Sequence, residues 1–167
     1  PGPHRQVPPC RHFPECGGCQ LQHVDDEAYA AYLTARVAGA LAQQGIVTEL
    51  RAPHLSPPRS RRRATLRALR AGGRIVLGFN AEKSVKVIDL AECPILRPEL
   101  FALVAPLRQL LNKLLKAKKT AEVQLTLADQ GVDLLVRGVS AEGFEAAQGL
   151  VDFAQRSEEH TSELQSH

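Results

Sequence analysis

Cys10-Arg11-His12-Phe13-Pro14-Glu15-Cys16-Gly17-Gly18-Cys19-Gln20-Leu21-Gln22-His23 sets a problem that the rest of the chain must solve. It holds three of the four cysteines in a C-x5-C-x2-C pattern. The fourth, Cys93, lies 74 positions beyond Cys19, in Glu92-Cys93-Pro94-Ile95-Leu96. A fold that carries Cys93 back to the loop builds a four-thiol site. Four thiolates suit an iron–sulfur cluster, and a Cys-Pro ligand is familiar from ferredoxins. They also suit tetrahedral zinc, with His12 and His23 as spare ligands, although zinc ribbons pair two short knuckles and the second half here is one residue. The remaining reading, four small buried hydrophobes, is disfavoured by the clustering of three thiols. The residues alone leave iron–sulfur and zinc open. Gly17 and Gly18 let the backbone turn sharply and bring amides toward the sulfurs.

Composition sets the outer limits. A chain of 167 residues with 44% hydrophobic and 4% aromatic content suits one domain with a core of Leu, Val, Ile and Ala. No apolar run reaches the roughly 18 residues that suggest a membrane span, and Pro1-Gly2-Pro3-His4 has no signal-peptide character. Four cysteines in that setting point to reduced thiols and a cytoplasmic location.

Residues 1–24 read as a proline-rich linker followed by the cysteine loop. A helix is expected over 26–44: Asp25 or Asp26 caps it, Tyr29, Leu33, Val37, Ala40 and Leu41 form its apolar stripe, and Gly45 ends it. Pro53, Pro57 and Pro58 mark a loop. Ala64–Ala71 and Arg74–Asn80 flank Gly72-Gly73 as a hairpin, and Val85–Leu90 reads as a third strand leading to Cys93. Pro98 suits the first turn of a leucine-rich helix that Pro106 kinks or splits. Glu122–Ala128 and Val132–Arg137 form a second hairpin. Ser140 is expected to cap a last helix carrying Phe144, Ala147, Val151 and Ala154. The fold class is therefore α+β: an antiparallel or mixed sheet of hairpins covered by helices over residues 25–155, closed at Cys93. Residues 156–167 lack apolar periodicity and match the translation of a common sequencing-library adapter. They are expected to be a disordered assembly scar outside the fold. Without Arg156, Glu158, Glu159 and Glu163 the balance is 20 basic to 15 acidic residues.

Arg59, Arg61, Arg62, Arg63, Arg67, Arg70 and Arg74 place seven arginines in sixteen residues. Such density suits bidentate contact with phosphates, and equally a charged, solvated edge strand. Strand alternation allows only part of the set to share a face. The candidate RNA contacts are Arg59, Arg61, Arg62, Arg63 and Arg67. Candidate stacking residues are few: Phe13, Tyr29, Tyr32 and Phe79.

Three blocks carry a resemblance: Cys10 through Cys16-Gly17-Gly18-Cys19-Gln20-Leu21-Gln22-His23; Arg61-Arg62-Arg63-Ala64-Thr65-Leu66 with Leu77-Gly78-Phe79; and Ser84, Val87-Ile88-Asp89 and Cys93-Pro94-Ile95-Leu96. In order and spacing they resemble the bacterial uracil-C5 RNA methyltransferases, most closely the iron–sulfur ribosomal-RNA branch. The resemblance implies a [4Fe–4S] cluster on Cys10, Cys16, Cys19 and Cys93, making the N-terminal loop an iron–sulfur loop. It implies that the α+β section is a central domain contacting RNA, with ribosomal RNA as partner and no membrane. It also implies that S-adenosylmethionine (SAM) binds only in the full-length enzyme. No Gly-rich strand–turn–helix for that cofactor is present. With all four cysteines in the cluster, no thiol remains for addition to uracil C6, so no catalytic residue is assigned and the fragment is expected to be inactive alone. A stand-alone zinc-dependent nucleic-acid-binding module is the alternative.

Overall fold

A computed structural model describes residues 2–165, with side chains described through 155. Its elements are α1 (Asp26–Gln43), β1 (Arg63–Ala71), β2 (Arg74–Gly78), α2 (Pro98–Ala102), α3 (Val104–Leu114), β3 (Thr120–Ala128), β4 (Gly131–Arg137) and α4 (Phe144–Gln165). The α+β class is as expected, and the sheet, with order β2-β1-β3-β4, is antiparallel throughout. The adapter-like segment 156–167, expected to be disordered, instead continues α4 as helix through Gln165; its side chains and residues 166–167 lie outside those described. Among the described residues, no helix is long and apolar enough to cross a membrane.

The sheet is built by strict alternation. Along β1, Ala64, Leu66 and Ala68 are buried while Arg63, Thr65 and Arg67 are exposed. Their partners on β3 continue the buried face, with Ala64 opposite Leu125, Leu66 opposite Val123 and Ala68 opposite Ala121. Leu100 of α2 and Leu107 and Leu111 of α3 close over that face and are fully buried with Leu66 and Leu77. Each such leucine contributes about 1.5–3 kcal/mol relative to exposure. The opposite face of the sheet presents Arg63, Thr65, Arg67, Glu122, Gln124 and Thr126, with Leu69, Val76 and Leu135 also on it. The β1–β2 turn requires Gly72 and Gly73, whose φ values of +56° and +79° lie where a Cβ is costly.

Three expectations change in detail. Pro106 does split the leucine-rich helix, and the break falls at Leu103 between α2 and α3. Pro106 becomes the third residue of α3, where its missing N–H leaves no helical bond unmade. Val85–Leu90 is not a strand. Ile88 and Leu90 donate to the carbonyls of Phe79 and Leu77 at 2.8 and 2.9 Å, but only Asn80 and Val87 form a bridge. The Asp89 carboxylate accepts the Leu77 amide at 3.3 Å, so a side chain takes a backbone donor that a ladder would use, and Val85 is exposed. Finally, α4 begins at Phe144, four residues past Ser140, and its buried face is Ala146 and Gly149. The expected stripe of Phe144, Ala147, Val151 and Ala154 faces outward. Lys113 meets Asp152 at 2.9 Å across the α3–α4 contact and helps fix that rotation.

Candidate metal centre and nucleic-acid groove

The four cysteines line one cavity, together with His12, Phe13, Phe79 and Leu90. Cys16 is buried, Cys10, Cys19 and Cys93 are half-buried, and none is in a disulfide. Local bonds shape the loop. The Phe13 amide donates to the Cys10 carbonyl at 3.2 Å and the Cys16 amide to the His12 carbonyl at 2.9 Å. The loop is then stitched to the segment after β2: Cys16 bridges Ala81, Gly17 donates to the Asn80 carbonyl at 2.9 Å and Glu82 to the Glu15 carbonyl at 3.1 Å. A Cβ on Gly17 would stand 2.8 Å from that Asn80 oxygen, so only glycine permits the approach.

The side bearing Cys93 is fastened separately. Glu92 accepts the Arg11 amide at 2.6 Å and pairs with its guanidinium at 3.3 Å. Those contacts, the amide first, hold its carboxyl below the ordinary range. His12 Nε2 accepts the Ala91 amide at 3.1 Å, and His23 lies beside Phe13, with ring centroids 5.4 Å apart. His12 is thus engaged through Nε2, whereas His23 Nδ1 is buried without a hydrogen-bond partner among the described residues.

Burial pushes the Cys10 and Cys19 thiols up, and negative charge pushes them further, from Glu92, Cys93 and Cys16 at Cys10 and from Cys93, Cys16 and Cys10 at Cys19. The His12 amide partly offsets this at Cys10, and the Gln22 side chain at Cys19. Neighbouring negative charge thus opposes ionisation of Cys10 and Cys19, an opposition that a bound cation relieves. The four donors are brought to one cavity. Among the described residues, however, no three His, Cys, Asp or Glu side chains form a group placed to hold a single metal ion.

Beside this cavity runs an open groove of about 850 Å³. Its lining comes from Gly17, Gly18 and Gln20 of the cysteine loop, from Arg61, Arg62, Arg63 and Thr65 around the start of β1, from Phe79, Asn80, Glu82 and Lys83 after β2, and from Thr126 of β3. Glu82 and Lys83 pair with each other at 3.6 Å. The expected arginines separate here. Among the described residues no carboxylate lies within ion-pair distance of Arg59, Arg61 or Arg63. Arg61 and Arg63 line the groove, whereas Arg59 is not among its lining residues. Arg62 lines it while pairing with Asp129 at 3.1 Å. Arg67 lies outside it and pairs with Glu122 at 3.1 Å. Arg70 donates to Asn112 and the Leu115 carbonyl, and Arg74 pairs with Asp89 at 3.7 Å.

Of the candidate stacking residues, Phe79 alone lines the groove. Tyr32 lies under Arg36 instead, 5.7 Å from guanidinium carbon to ring centroid. Sequence reading did not assign Gln20, Thr65, Asn80, Lys83 or Thr126 to a site. Isolated polar residues carry no periodic signal; the stitching of the cysteine loop to residues 80–82 and the β1–β3 ladder, which sets Thr126 opposite Arg63, bring them together.

No family model matches the chain. It is 44% identical to an uncharacterised RNA methyltransferase of Zymomonas mobilis over 154 residues, which make up 92% of this chain and 39% of that protein. It is 37% identical to an uncharacterised RNA methyltransferase of Brucella suis, covering 94% of this chain and 39% of the relative. Against the 23S rRNA (uracil(1939)-C(5))-methyltransferase RlmD of Pectobacterium atrosepticum the identity is 37%, over 93% of this chain and 36% of the relative. The chain therefore spans about two fifths of the length of these curated relatives. Across that span it belongs to the bacterial RNA methyltransferase family that includes the 23S rRNA uracil-C5 enzymes.

Proposed function

We propose that the chain is the iron–sulfur and RNA-contacting section of a SAM-dependent methyltransferase that forms 5-methyluridine in ribosomal RNA, and that it does not itself carry out methyl transfer. The observation that carries this reading is the convergence of Cys10, Cys16, Cys19 and Cys93 on one cavity, beside a groove lined by Arg61, Arg62 and Arg63. The donor set fits a [4Fe–4S] cluster: four thiols, all free of disulfides, with neighbouring negative charge opposing ionisation of Cys10 and Cys19. Such a cluster, when bound, crosslinks the N-terminal loop to Cys93. The cysteines are thereby committed to structure, and none is left as the nucleophile that uracil C5 chemistry requires. SAM and the methyl-transfer centre belong to the longer family enzymes.

The arginines supply the contact with RNA. Arg61 and Arg63, without carboxylate partners, are the ones to neutralise phosphates, and Arg62 has to exchange Asp129 for one. Arg59 and Arg67 stand at the flanks. Measuring RNA affinity against salt concentration tests this. The double substitution Arg61→Ala with Arg63→Ala should weaken binding at low salt and reduce the slope of log K against log salt by about 2. Arg74→Ala, removing a guanidinium paired with Asp89, should leave the slope unchanged. Absence of salt-dependent RNA binding by the unsubstituted chain would contradict the proposal.

A further inference from the structure

The groove and the thiol cavity are one construction. Gly18, Arg61 and Phe79 line both. A Cβ on Gly18 would lie 3.5 Å from both the Phe79 ring and Cys16 Sγ, so the ring and the sulfur flank this glycine with the width of a methyl group between. Gly17, Gly18 and Gln20, which line the groove, lie between or next to Cys16 and Cys19 in the sequence. The segment carrying Arg59 and Arg61 is tied to the residues that follow Cys93. Immediately after that residue, the Pro94 carbonyl accepts the Arg59 amide at 2.9 Å and the Ile95 carbonyl accepts the Arg61 amide at 3.0 Å. The Arg61 carbonyl in turn accepts the Arg97 amide at 3.0 Å. Arg59 takes φ +55°, a conformation that costs a residue with a side chain about 1–3 kcal/mol and that these bonds hold in place.

We infer that the groove is a single-stranded RNA site whose shape is set by the thiol cavity behind it. Phe79 and Arg61 serve as the positioning residues between the two. The inference rests on the iron–sulfur and RNA reading above and adds a linkage to it: joining the Cys10–Cys19 loop to Cys93 fixes the distance between the Gly17–Gln20 and Arg61–Arg63 parts of the groove lining. The composition of the groove indicates single strands. Its guanidiniums suit phosphates, while the amides of Gln20 and Asn80 and the hydroxyl of Thr65 suit base edges, which RNA offers when it is unpaired. Phe79 lines both the thiol cavity and the groove, so its task is to transmit the position of the cysteine loop to the groove.

The test compares the full chain reconstituted anaerobically with ferrous iron and sulfide with the same protein stripped by a chelator and kept reduced. The readout is fluorescence anisotropy with a short unstructured RNA and with a duplex of the same sequence. Loading should tighten single-strand binding by about tenfold, an ordinary size for coupling between two sites, and change duplex binding little. Phe79→Ala should reduce the difference between loaded and stripped protein, while Phe79→Leu should preserve most of it. Equal single-strand affinity in the two states would overturn the linkage and leave the RNA reading standing. Absence of RNA binding in both states would overturn the two together. Preferential duplex binding would overturn the assignment to single strands. A protein that takes up no iron and sulfide would remove the cluster reading and the linkage built on it.

Discussion

α1 and the sheet with its α2–α3 cover were both read from apolar periodicity, yet they hold together in different ways. Leu66, Leu77, Leu107 and Leu111 are fully buried. On α1, the stripe of Tyr29, Leu33, Val37, Ala40 and Leu41 forms with the expected spacing, but no residue of the helix is buried, and Val37 is 50% exposed. What α1 does have is local: Asp25 caps it by accepting the Ala28 amide at 2.8 Å, Asp26 and Glu27 suit its first turn, and Gly45 follows it with φ +67°. Periodicity and caps therefore determine that a helix forms. They do not determine what it packs against, and the stability of each region follows from the second fact.

Substitutions can break or sharpen that contrast. The largest effect is expected at Leu66, where truncation to Ala empties part of a closed layer and should cost about 2–5 kcal/mol in denaturant unfolding. An effect near zero would mean that the sheet–helix layer is not the stability core. Gly17→Ala comes next, because its methyl group meets a backbone carbonyl that cannot turn aside. About 1–3 kcal/mol is expected, with faster hydrogen exchange at the Glu82 amide, the other stitch of the loop to residues 80–82. Glu122→Gln should cost about 1 kcal/mol or less, the range for exposed ion pairs. It weakens the contacts with Arg67 and Arg137, at 3.1 and 3.0 Å, both of which remain open to solvent.

The smallest effects belong to α1. Val37→Ala should change global stability by no more than about 0.5 kcal/mol, and a loss comparable to Leu66→Ala would end the comparison. Asp25→Ala should fray the first turn of the helix, read as faster exchange of the Ala28 amide. The same group sets a pH dependence. The Ala28 amide, aided by His4, holds the Asp25 carboxyl below its ordinary value. Its contribution is therefore present above the unfolded carboxylate value and fades as pH falls through the depressed one. Fraying should follow acidification in the native chain and respond less to pH over that range in Asp25→Ala, where only Asp26 and Glu27 of the first turn still lose charge.

The legible parts of the fold were those set by nearest neighbours. Gly72-Gly73 turned the first hairpin, alternation along 122–128 gave β3, and Pro98 and Pro106 together predicted a broken helix. What failed depended on distant partners. Val85–Leu90 has the residues of a strand, but Asp89 uses its side chain on β2 and on Arg108, at 2.7 Å. The rotation of α4 was misread because Ala146 and Gly149, small enough to lie against α3, carry less apolar weight than Phe144 or Val151. The arginine run was legible as charge but not as seven separate roles. Arg70 ends on the Leu115 carbonyl just past α3, where a cation suits the helix terminus, and nothing in its own neighbourhood of sequence announces that. The cysteines gave the most information for their number. Thiol chemistry predicted one site, and the fold carries Cys93 to the cavity of the other three.

That site holds the central claim, and its metal content tests it most directly. The full chain, purified without oxygen and reconstituted with iron and sulfide, should be brown. It should contain iron and acid-labile sulfide in the ratio of a [4Fe–4S] cluster, and Cys93→Ser should lose both. A colourless protein holding stoichiometric zinc, with neither iron nor sulfide, would contradict the account.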